Sequence, residues 1–371
     1  MKKHYLGWIV LTLTVLSGCS NNKVESTYIS VKGQWLVETN GDVMLNPQTS
    51  GLKLWRDKLL SVSDASADVS QQLQLHVISK DDARVASKSL PMQMSARVGQ
   101  SCFGPYLNDS PDLEALAVDP RDDRVILVVT EDATRSVGMS QECQLRFNNS
   151  GSTDYPTVLI RLELQDDNTL LMTHARPLQF ASEYSIGNFP NDGVEALAFS
   201  PDGTLYLGLE KDITNHARIF SLAINDQFWS TDDFAQVIDE KFDIPQFDSG
   251  THPINGMDYL QVPNHKGFLV AAARNDNQLW IIDIEKQRST KVVPLQFLAP
   301  TNSQDKTCPD YELMDNSSLE GVAINGDTIW MVNDPWKRHY LDNVVCETNR
   351  SRYEKFAPLL FSMPIQPNWL N

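Results

Sequence analysis

Acidic residues recur in this sequence at a fixed place within a repeated pattern. Glu114, Glu195 and Glu320 each stand second in an apolar run, as in Val194-Glu195-Ala196-Leu197-Ala198-Phe199. Clustered carboxylates repel one another, so they need cations, protons or hydrogen-bond donors beside them. A hard cation such as calcium, which takes about six to eight oxygen ligands, would meet that need. The candidate metal ligands are these three glutamates and the acids that end the next apolar run in each copy, namely Asp64, Glu131, Glu210 and Asp334.

One copy of the pattern carries different residues at the two acidic positions, Asn255 and Arg274. Arg274 and Lys211, which follows Glu210, are candidates to balance the carboxylates or to bind an anionic ligand. His252, just before this copy, is a further candidate ligand-binding residue, although a lone loop histidine usually has no such role. The sequence assigns no catalytic residue, because it contains no Gly-x-Ser-x-Gly, His-Glu-x-x-His or Gly-rich phosphate-binding motif.

The repeated acids admit three roles. A glutamate at the start of an inner strand can cap neighbouring backbone amides and hold adjacent units together, which is a purely structural role. Binding of a metal or another ligand is the second role, and catalysis is the third. Residue types and spacing alone leave all three open.

The elements that carry these residues are pairs of short strands joined by turns rich in Asp, Gly, Asn and Pro. A second strand pair follows most copies, for example 157–164 with 170–173. About four strands per repeat, at spacings of roughly 60 to 80 residues, are typical of β-propeller blades. The sequence therefore predicts an all-β fold, a β-propeller with five four-stranded antiparallel blades. The copies begin at Ser50, Leu113, Val194, Ile254 and Leu319.

Closure of the ring requires a strand from the other end of the chain. The last repeat has a third strand at 357–362 and no evident fourth, so we expect 34–38 to supply it. A divergent sixth blade would have to lie within 66–111 or 223–252. A flat β-sandwich is the alternative fold, but it does not explain the repeated Glu-containing unit.

The cysteines fit the same repeat. Cys102 and Cys308 each lie 12 residues before the glutamate of their copy, while Cys143 and Cys346 follow the second strands at similar distances. Four cysteines allow three pairings, and the repeat selects Cys102–Cys143 and Cys308–Cys346, both in an oxidising compartment. A zinc site is the rival interpretation, but the sequence has no Cys-x-x-Cys pair.

The N-terminus predicts export and a lipid anchor. Two lysines precede an apolar stretch that is too short to span a membrane, as in a secretory signal. Leu16-Ser17-Gly18-Cys19 resembles the bacterial lipobox, which predicts cleavage before Cys19 and lipidation of its thiol; an ordinary signal peptide is the alternative. Ser20 resembles an outer-membrane sorting signal. We therefore expect a signal peptide (1–18), a tether (19–29) and one propeller domain (30–371). The expected location is the outer membrane of the bacterial cell envelope, on either its periplasmic or its outer face.

The charge excludes one class of partner. The formal net charge is −17, and loss of Lys2 and Lys3 would make it more negative. Binding to nucleic acid requires a basic surface that replaces counterions, so nucleic acid is not an expected partner. The expected partners are a membrane, through Cys19, and an unidentified small-molecule or protein ligand.

Two of the repeat units resemble a known family. Val194-Glu195-Ala196-Leu197-Ala198 with Asp202-Gly203-Thr204, and Leu319-Glu320-Gly321-Val322-Ala323 with Val332-Asn333-Asp334, look like the family called "esterase-like activity of phytase". The resemblance implies an exported propeller that hydrolyses phosphoesters or esters, with calcium as the assisting cation. The departure from the repeated acid at the Arg274 position and the acidic net charge weaken the case for a highly anionic substrate such as phytate, unless bound cations reverse the local field.

The resemblance does not identify a catalytic residue in this chain, because the residues that match the family are also those that define the fold. Two functions follow from the sequence. The first is a metal-dependent phosphoesterase or esterase with a carboxylate-rich face. The second is a non-catalytic propeller of the cell envelope that binds a ligand or a partner protein.

Overall fold

The computed structural model describes residues 28–131, 138–148, 155–186, 193–301 and 306–370. Strands make up most of its regular structure. They are β1 (Ile29–Trp35), β2 (Thr49–Trp55), β3 (Lys58–Ser63), β4 (Gln74–Ile78), β5 (Leu90–Met94), β6 (Leu113–Val118), β7 (Val125–Thr130), β8 (Val158–Leu164), β9 (Leu170–Gln179), β10 (Val194–Phe199), β11 (Thr204–Leu209), β12 (Arg218–Ala223), β13 (Ala235–Gln236), β14 (Ile238–Asp239), β15 (Ile254–Val262), β16 (His265–Ala273), β17 (Gln278–Asp283), β18 (Lys291–Pro300), β19 (Tyr311–Met314), β20 (Leu319–Asn325), β21 (Thr328–Asn333) and β22 (Leu359–Pro364).

Short helices lie in the connections between strands. They are α1 (Ala96–Gly99), α2 (Gly104–Asp109), α3 (Gln141–Arg146) and α4 (Arg350–Glu354). Turns of 3-10 helix lie at Val69–Gln71, Ser182–Tyr184, Phe228–Ser230, Arg274–Asp276, Tyr340–Asn343, Glu347–Asn349 and Pro367–Trp369. Among the described residues, no helix has the length and apolar character needed to cross a membrane. The predicted signal peptide and Cys19 lie outside the described ranges.

The strands form a β-propeller, as the sequence predicts. They group into five antiparallel units of four: β2–β5, β6–β9, β10–β12 with β14, β15–β18, and β20–β22 with β1. The first strands of the units contact one another in the closed order β2, β6, β10, β15, β20 and back to β2. Each unit thus corresponds to one sequence repeat. The segments 66–111 and 223–252 contain outer strands of the first and third units.

The N-terminal strand joins the two ends of the ring. β1 pairs antiparallel with β22, with Gly33 opposite Phe361 and Trp35 opposite Leu359. Its other edge pairs parallel with β18 of the neighbouring unit. The closing strand runs from Ile29 to Trp35, slightly earlier than the predicted 34–38. Closure therefore ties residues near the start of the described chain to its last strand.

A β-bulge lies at the start of each inner strand. In β6 the register with β7 skips Glu114, and in β10 the register with β11 skips Glu195. The same shift skips Asn255 in β15 and Glu320 in β20, while β2 is irregular between Ser50 and Lys53. A bulge adds one residue to a strand and re-aims its side chain. The bulges therefore displace the repeated polar residues from the ordinary alternation of the strand.

The packing of the apolar residues beside Glu114 also shows the bulge. Leu113 and Leu116, three residues apart, lie in one apolar cluster, whereas Ala115 and Ala117 lie in the next. Strict alternation would put Leu113 and Leu116 on opposite faces of the strand. The extra residue, Glu114, brings both leucines to the same core.

Farther along the inner strands from the bulges, atoms of neighbouring strands and the Lys53 side chain occupy the channel that these strands enclose. A Cβ atom built on Gly321 would lie 2.7 Å from the carbonyl carbon of Gly51 on the neighbouring inner strand. The buried Lys53 ammonium lies 3.1 Å from the Asp258 carboxylate and donates to the Val322 carbonyl at 3.1 Å. These contacts join the first, fourth and fifth units across the axis.

Two disulfides cross-link the loops beside the acidic residues. Cys102 pairs with Cys143 and Cys308 pairs with Cys346, with Cα–Cα distances of 5.6 and 5.8 Å. Both predicted pairings are confirmed. Each bridge connects the segment before an inner strand to the segment after the second strand, so both lie at the end of the propeller where the bulges are.

Candidate functional site

One backbone hydrogen bond recurs at the open end of four of the five hairpins. The N–H of the residue after the second strand donates to the carbonyl of the residue before the first strand, which extends the hairpin by one pair and fixes both residues. The four bonds are Asp64 to Gln48 at 3.1 Å, Glu131 to Asp112 at 3.0 Å, Glu210 to Gly193 at 2.9 Å and Asp334 to Ser318 at 2.8 Å. The repeated acids are therefore held by the fold rather than carried on free loops.

A cavity of about 300 Å³ lies at this end of the propeller. Acids from four of the five units reach it, together with Arg274 from the remaining unit. A loop after β21 forms part of its edge. The lining residues are Gln48, Asp64, Ser66, Asp112, Glu114, Glu195, Arg274, Glu320, Asp334, Trp336, Lys337 and Arg338.

The acids form three overlapping groups in which one oxygen atom from each residue lies within 4.8 Å of the others. The groups are Asp112 with Glu114 and Glu131, Glu114 with Glu195 and Glu320, and Glu131 with Glu195 and Glu210. Glu114, Glu131 and Glu195 each belong to two groups and are at most 8 % exposed. Such clusters have the donor type and spacing that could bind a metal ion.

Arg274 balances part of this negative charge. Its guanidinium nitrogens lie 3.4 Å from a carboxylate oxygen of Glu320 and 3.5 Å from one of Asp334. Burial opposes the charge on Arg274, but these carboxylates outweigh that effect and raise its pKa. The Asn255 amide also donates to Glu320, at 3.1 Å. The one unit without acids at the repeated positions thus supplies the cluster with a cation and an amide donor.

Several buried oxygen atoms of the cluster accept no hydrogen bond from the described residues. They are Oε2 of Glu131, Oδ1 of Asn255, Oε2 of Glu320 and Oδ1 of Asp334. Asn255 and Glu320 are 0 % and 3 % exposed. An unsatisfied buried carboxylate oxygen costs free energy unless a proton or a cation is present. These oxygens fit a bound cation, because a cation would satisfy several of them at once.

Burial and mutual repulsion raise the pKa of most acids in the cluster. The carboxyl pKa of Glu114, Glu195 and Glu320 is raised well above the usual value, chiefly by burial. Burial also raises the pKa of Glu131 to about 8. Burial and the charge of Asp334 raise that of Asp64 to about 7. The cluster therefore carries protons near neutral pH when no cation balances it.

The stability of the cation-free protein is expected to fall as the pH rises. A folded-state pKa above the unfolded value makes protonation stabilising, so this stability is complete near pH 4 and is lost through the folded values, about 7 for Asp64 and about 8 for Glu131. In chelator, we expect the melting temperature to drop by about 5 °C or more between pH 5 and pH 8. Thermal unfolding followed by circular dichroism measures this change, and a flat or rising profile would contradict it.

Most of the predicted residues reach the cluster. Five predicted acids and Arg274 line the cavity, while Glu131, Glu210 and Asn255 belong to the carboxylate groups or bond to one of their members. Lys211, although it follows Glu210 directly, and His252 are not among the lining residues. His252 is held elsewhere: its Nδ1 lies 2.8 Å from the Asp276 carboxylate, and its Nε2 lies 2.9 Å from the Ser249 carbonyl. Its ring also stacks on a neighbouring phenylalanine. Both ring nitrogens are therefore engaged, one by Asp276 after β16 and the other by Ser249 in the loop before β15.

Glu131 combines two of the roles expected from the sequence. Its Oε1 accepts a hydrogen bond from the backbone N–H of Gly193 at 2.7 Å, which ties the second unit to the third. Its other carboxylate oxygen lacks such a donor within the described residues. One glutamate thus caps a backbone amide and still presents an oxygen to the cluster.

Sequence reasoning missed several members of the site. Asp112 stands before the first strand of its unit, so it belongs to a third polar position that the repeat comparison did not include. Ser50 takes the place of the glutamate in the first unit, and its hydroxyl donates to Glu114 at 3.2 Å. Alignment of the five hairpins on their second strands would have found both residues.

Comparison with known proteins identifies a family. The family model named phytase-like, described as esterase-like activity of phytase, matches residues 47–334. This span includes all five inner strands and all the acids described above. No curated protein matches the sequence.

Solved structures of low sequence identity resemble the chain. A PQQ-bound aldose sugar dehydrogenase from Streptomyces coelicolor is 12% identical with a TM-score of 0.43, covering 89% of this chain and 96% of the other. An α-L-arabinanase from Penicillium chrysogenum in complex with arabinobiose is 10% identical with a TM-score of 0.40, covering 90% and 97%. An auxiliary nutrient binding protein from Bacteroides thetaiotaomicron is 8% identical with a TM-score of 0.41, covering 89% and 76%.

Proposed function

Since the chain belongs to the phytase-like family, described as esterase-like activity of phytase, we propose that its acidic cavity is the active site of a cation-dependent phosphoesterase or esterase. The observation that carries the proposal is the set of buried carboxylate oxygens that have no hydrogen-bond donor among the described residues. Above neutral pH the carboxyl groups lose their protons, so protons alone would leave the negative charge of the cluster uncompensated. A divalent cation would balance it across that range.

The residues best placed to hold the cation are those with closely grouped oxygens. Glu114, Glu195 and Glu320 lie on three different units and bring one oxygen each within 4.8 Å of the others. All the available ligand atoms are oxygens, which favours a hard cation over zinc or copper. Calcium is the cation we propose, because it accepts irregular sets of oxygen ligands.

A bound divalent cation would polarise a phosphoryl or carbonyl oxygen and favour ionisation of a coordinated water. The side chains around it would contribute binding and proton transfer. Asp334 lines the cavity with a pKa that burial raises to about 6, and Asp64 lies beside it with a pKa of about 7. Such values suit a general acid or base near neutral pH. Arg274 would keep its charge and attract an anionic substrate.

Calcium dependence of both stability and turnover tests this function. We expect calcium at about 100 times its dissociation constant to raise the melting temperature in chelator-treated protein at pH 8 by about 3 °C or more. The same addition should give hydrolysis of 4-nitrophenyl phosphate or 4-nitrophenyl acetate. Magnesium serves as the comparison cation, because it demands a more regular octahedral site. Turnover that persists unchanged in chelator would contradict a cation-dependent site.

The second candidate function is ligand binding without catalysis. The hydrogen bond from Gly193 to Glu131 favours it, because this contact shows one of the repeated acids joining two units. In that case calcium would stabilise the protein without any ester being hydrolysed. A calcium-dependent melting temperature together with no turnover would support this candidate over the first.

We further propose that a lipid on Cys19 displays the propeller on a membrane of the bacterial cell envelope, most simply the outer membrane. The signal-like N-terminus and the lipobox-like residues before Cys19 support this location. A short polar segment would connect the anchor to β1. Replacement of Cys19 by alanine should release the protein from the membrane fraction, and continued sedimentation with membranes would contradict the anchor.

A further inference from the structure

The edge of the acidic cavity differs in chemistry from its floor. Trp336, Lys337 and Arg338 are consecutive, exposed and part of the cavity lining, whereas the floor consists of buried acids. Negative charge at depth and positive charge at the edge divide the cavity into two zones. A ligand that fits both zones would meet carboxylates at depth and two cationic side chains and an indole ring at the edge.

Trp336 is exposed but held in place. Its side chain is 43 % exposed, while its backbone N–H donates to the Asp334 carbonyl at 2.8 Å and its carbonyl accepts from Tyr340 at 2.9 Å. The indole also meets the ring of His339 edge to face, with centroids 4.6 Å apart. A large apolar ring exposed beside a polar cavity, on a backbone fixed by hydrogen bonds, is preorganised for a flat ligand group.

Arg338 keeps its hydrogen-bonding capacity. It makes no hydrogen bond or ion pair within the part of the chain that the structure describes, whereas the neighbouring Lys337 ammonium donates to the Ser66 carbonyl. Arg274 is already engaged by Glu320 and Asp334. A guanidinium binds a carboxylate or phosphate through two parallel hydrogen bonds. Arg338 is therefore the side chain at this edge most ready to receive an anion.

The charge of the lining limits how anionic the ligand can be. Six carboxylates line the cavity against three cationic side chains, an excess of three negative charges when every group is ionised. One divalent cation would leave that balance negative. A polyanion would add several more negative charges to a cavity of about 300 Å³. The lining therefore favours a ligand with one anionic group.

We propose that the substrate is an aryl monoester, with its single phosphate bound by Arg338 and the cation-loaded floor, and its ring stacked on Trp336. This inference rests on the proposed hydrolase function. Hydrolysis would consume one water, break the phosphorus–oxygen ester bond and release a phenol and inorganic phosphate. Polyphosphorylated polyols are excluded as good substrates by the negative lining.

Turnover of three esters by matched variants tests the substrate class. With calcium present, we expect kcat/KM for phenyl phosphate to exceed that for glycerol phosphate and for inositol hexakisphosphate. Trp336→Ala should lower kcat/KM for phenyl phosphate about 10-fold and leave glycerol phosphate nearly unchanged. Arg338→Ala should lower both about 30-fold, mainly through KM. Arg350→Ala, an exposed arginine outside the cavity, is the control.

The outcomes separate this inference from the function on which it rests. Faster turnover of inositol hexakisphosphate than of phenyl phosphate would overturn the aryl monoester and keep the hydrolase. Equal losses on both monoesters in Trp336→Ala would overturn the stacking role. If no ester is hydrolysed, titration calorimetry with phenyl phosphate tests whether the cavity binds this class of ligand. Binding that Trp336→Ala weakens would support the aryl monophosphate as the ligand. Absence of binding would overturn it.

Discussion

Glu195→Gln is expected to abolish the response of the protein to calcium. Glu195 belongs to two of the three carboxylate groups, and it is 3 % exposed. Glutamine keeps the shape of the side chain but cannot ionise, so it removes one charged ligand from both groups. We expect calcium affinity to fall at least about 100-fold and the calcium-dependent rise in melting temperature to disappear.

The same substitution should act in the opposite direction without calcium. Burial and the neighbouring glutamates raise the pKa of Glu195, so ionisation of this carboxyl group destabilises the folded state as the pH rises. In chelator at pH 8, Glu195→Gln should therefore unfold at a higher temperature than the wild type. Glu354→Gln, an exposed glutamate on α4, is the control and should change neither measurement. A wild-type calcium response in Glu195→Gln would show that the cluster binds no cation through this residue.

Gly321→Ala is expected to produce a large loss of stability although it adds a single methyl group. The new Cβ would lie 2.7 Å from the Gly51 carbonyl carbon and equally close to the backbone nitrogen of Leu52. These atoms belong to the backbone of an inner strand and cannot rotate away. Forcing such a contact in a packed core costs about 3 kcal/mol. Urea unfolding should show this decrease in the free energy of unfolding.

Gly138→Ala provides the matched control for that substitution. A Cβ atom at Gly138 would meet no atom within 4 Å. Its free energy of unfolding should stay within about 0.5 kcal/mol of the wild type. If Gly321→Ala behaved in the same way, the inner strands of the first and fifth units would not be in close contact.

The sequence by itself determined the all-β propeller class, the repeated hairpins and the disulfides. Each of these depends on local order: turn residues between short apolar runs define the hairpins, and repetition of the pattern defines the units. The offsets of Cys102 and Cys143 from the same hairpin were enough to pair them.

The tertiary structure alone decided which side chains converge. Ala115 and Ala196 stand where the fifth unit has Gly321, so the repeat suggests that alanine is tolerated there, yet Gly321 lies against the backbone of the first unit. Likewise, the repeat treats Glu131 and Asp334 as equivalent, but one binds a backbone amide and the other lies beside Arg274. Contacts between units depend on how the ring closes, and closure joins residues far apart in the chain. Local periodicity carries no information about those distances.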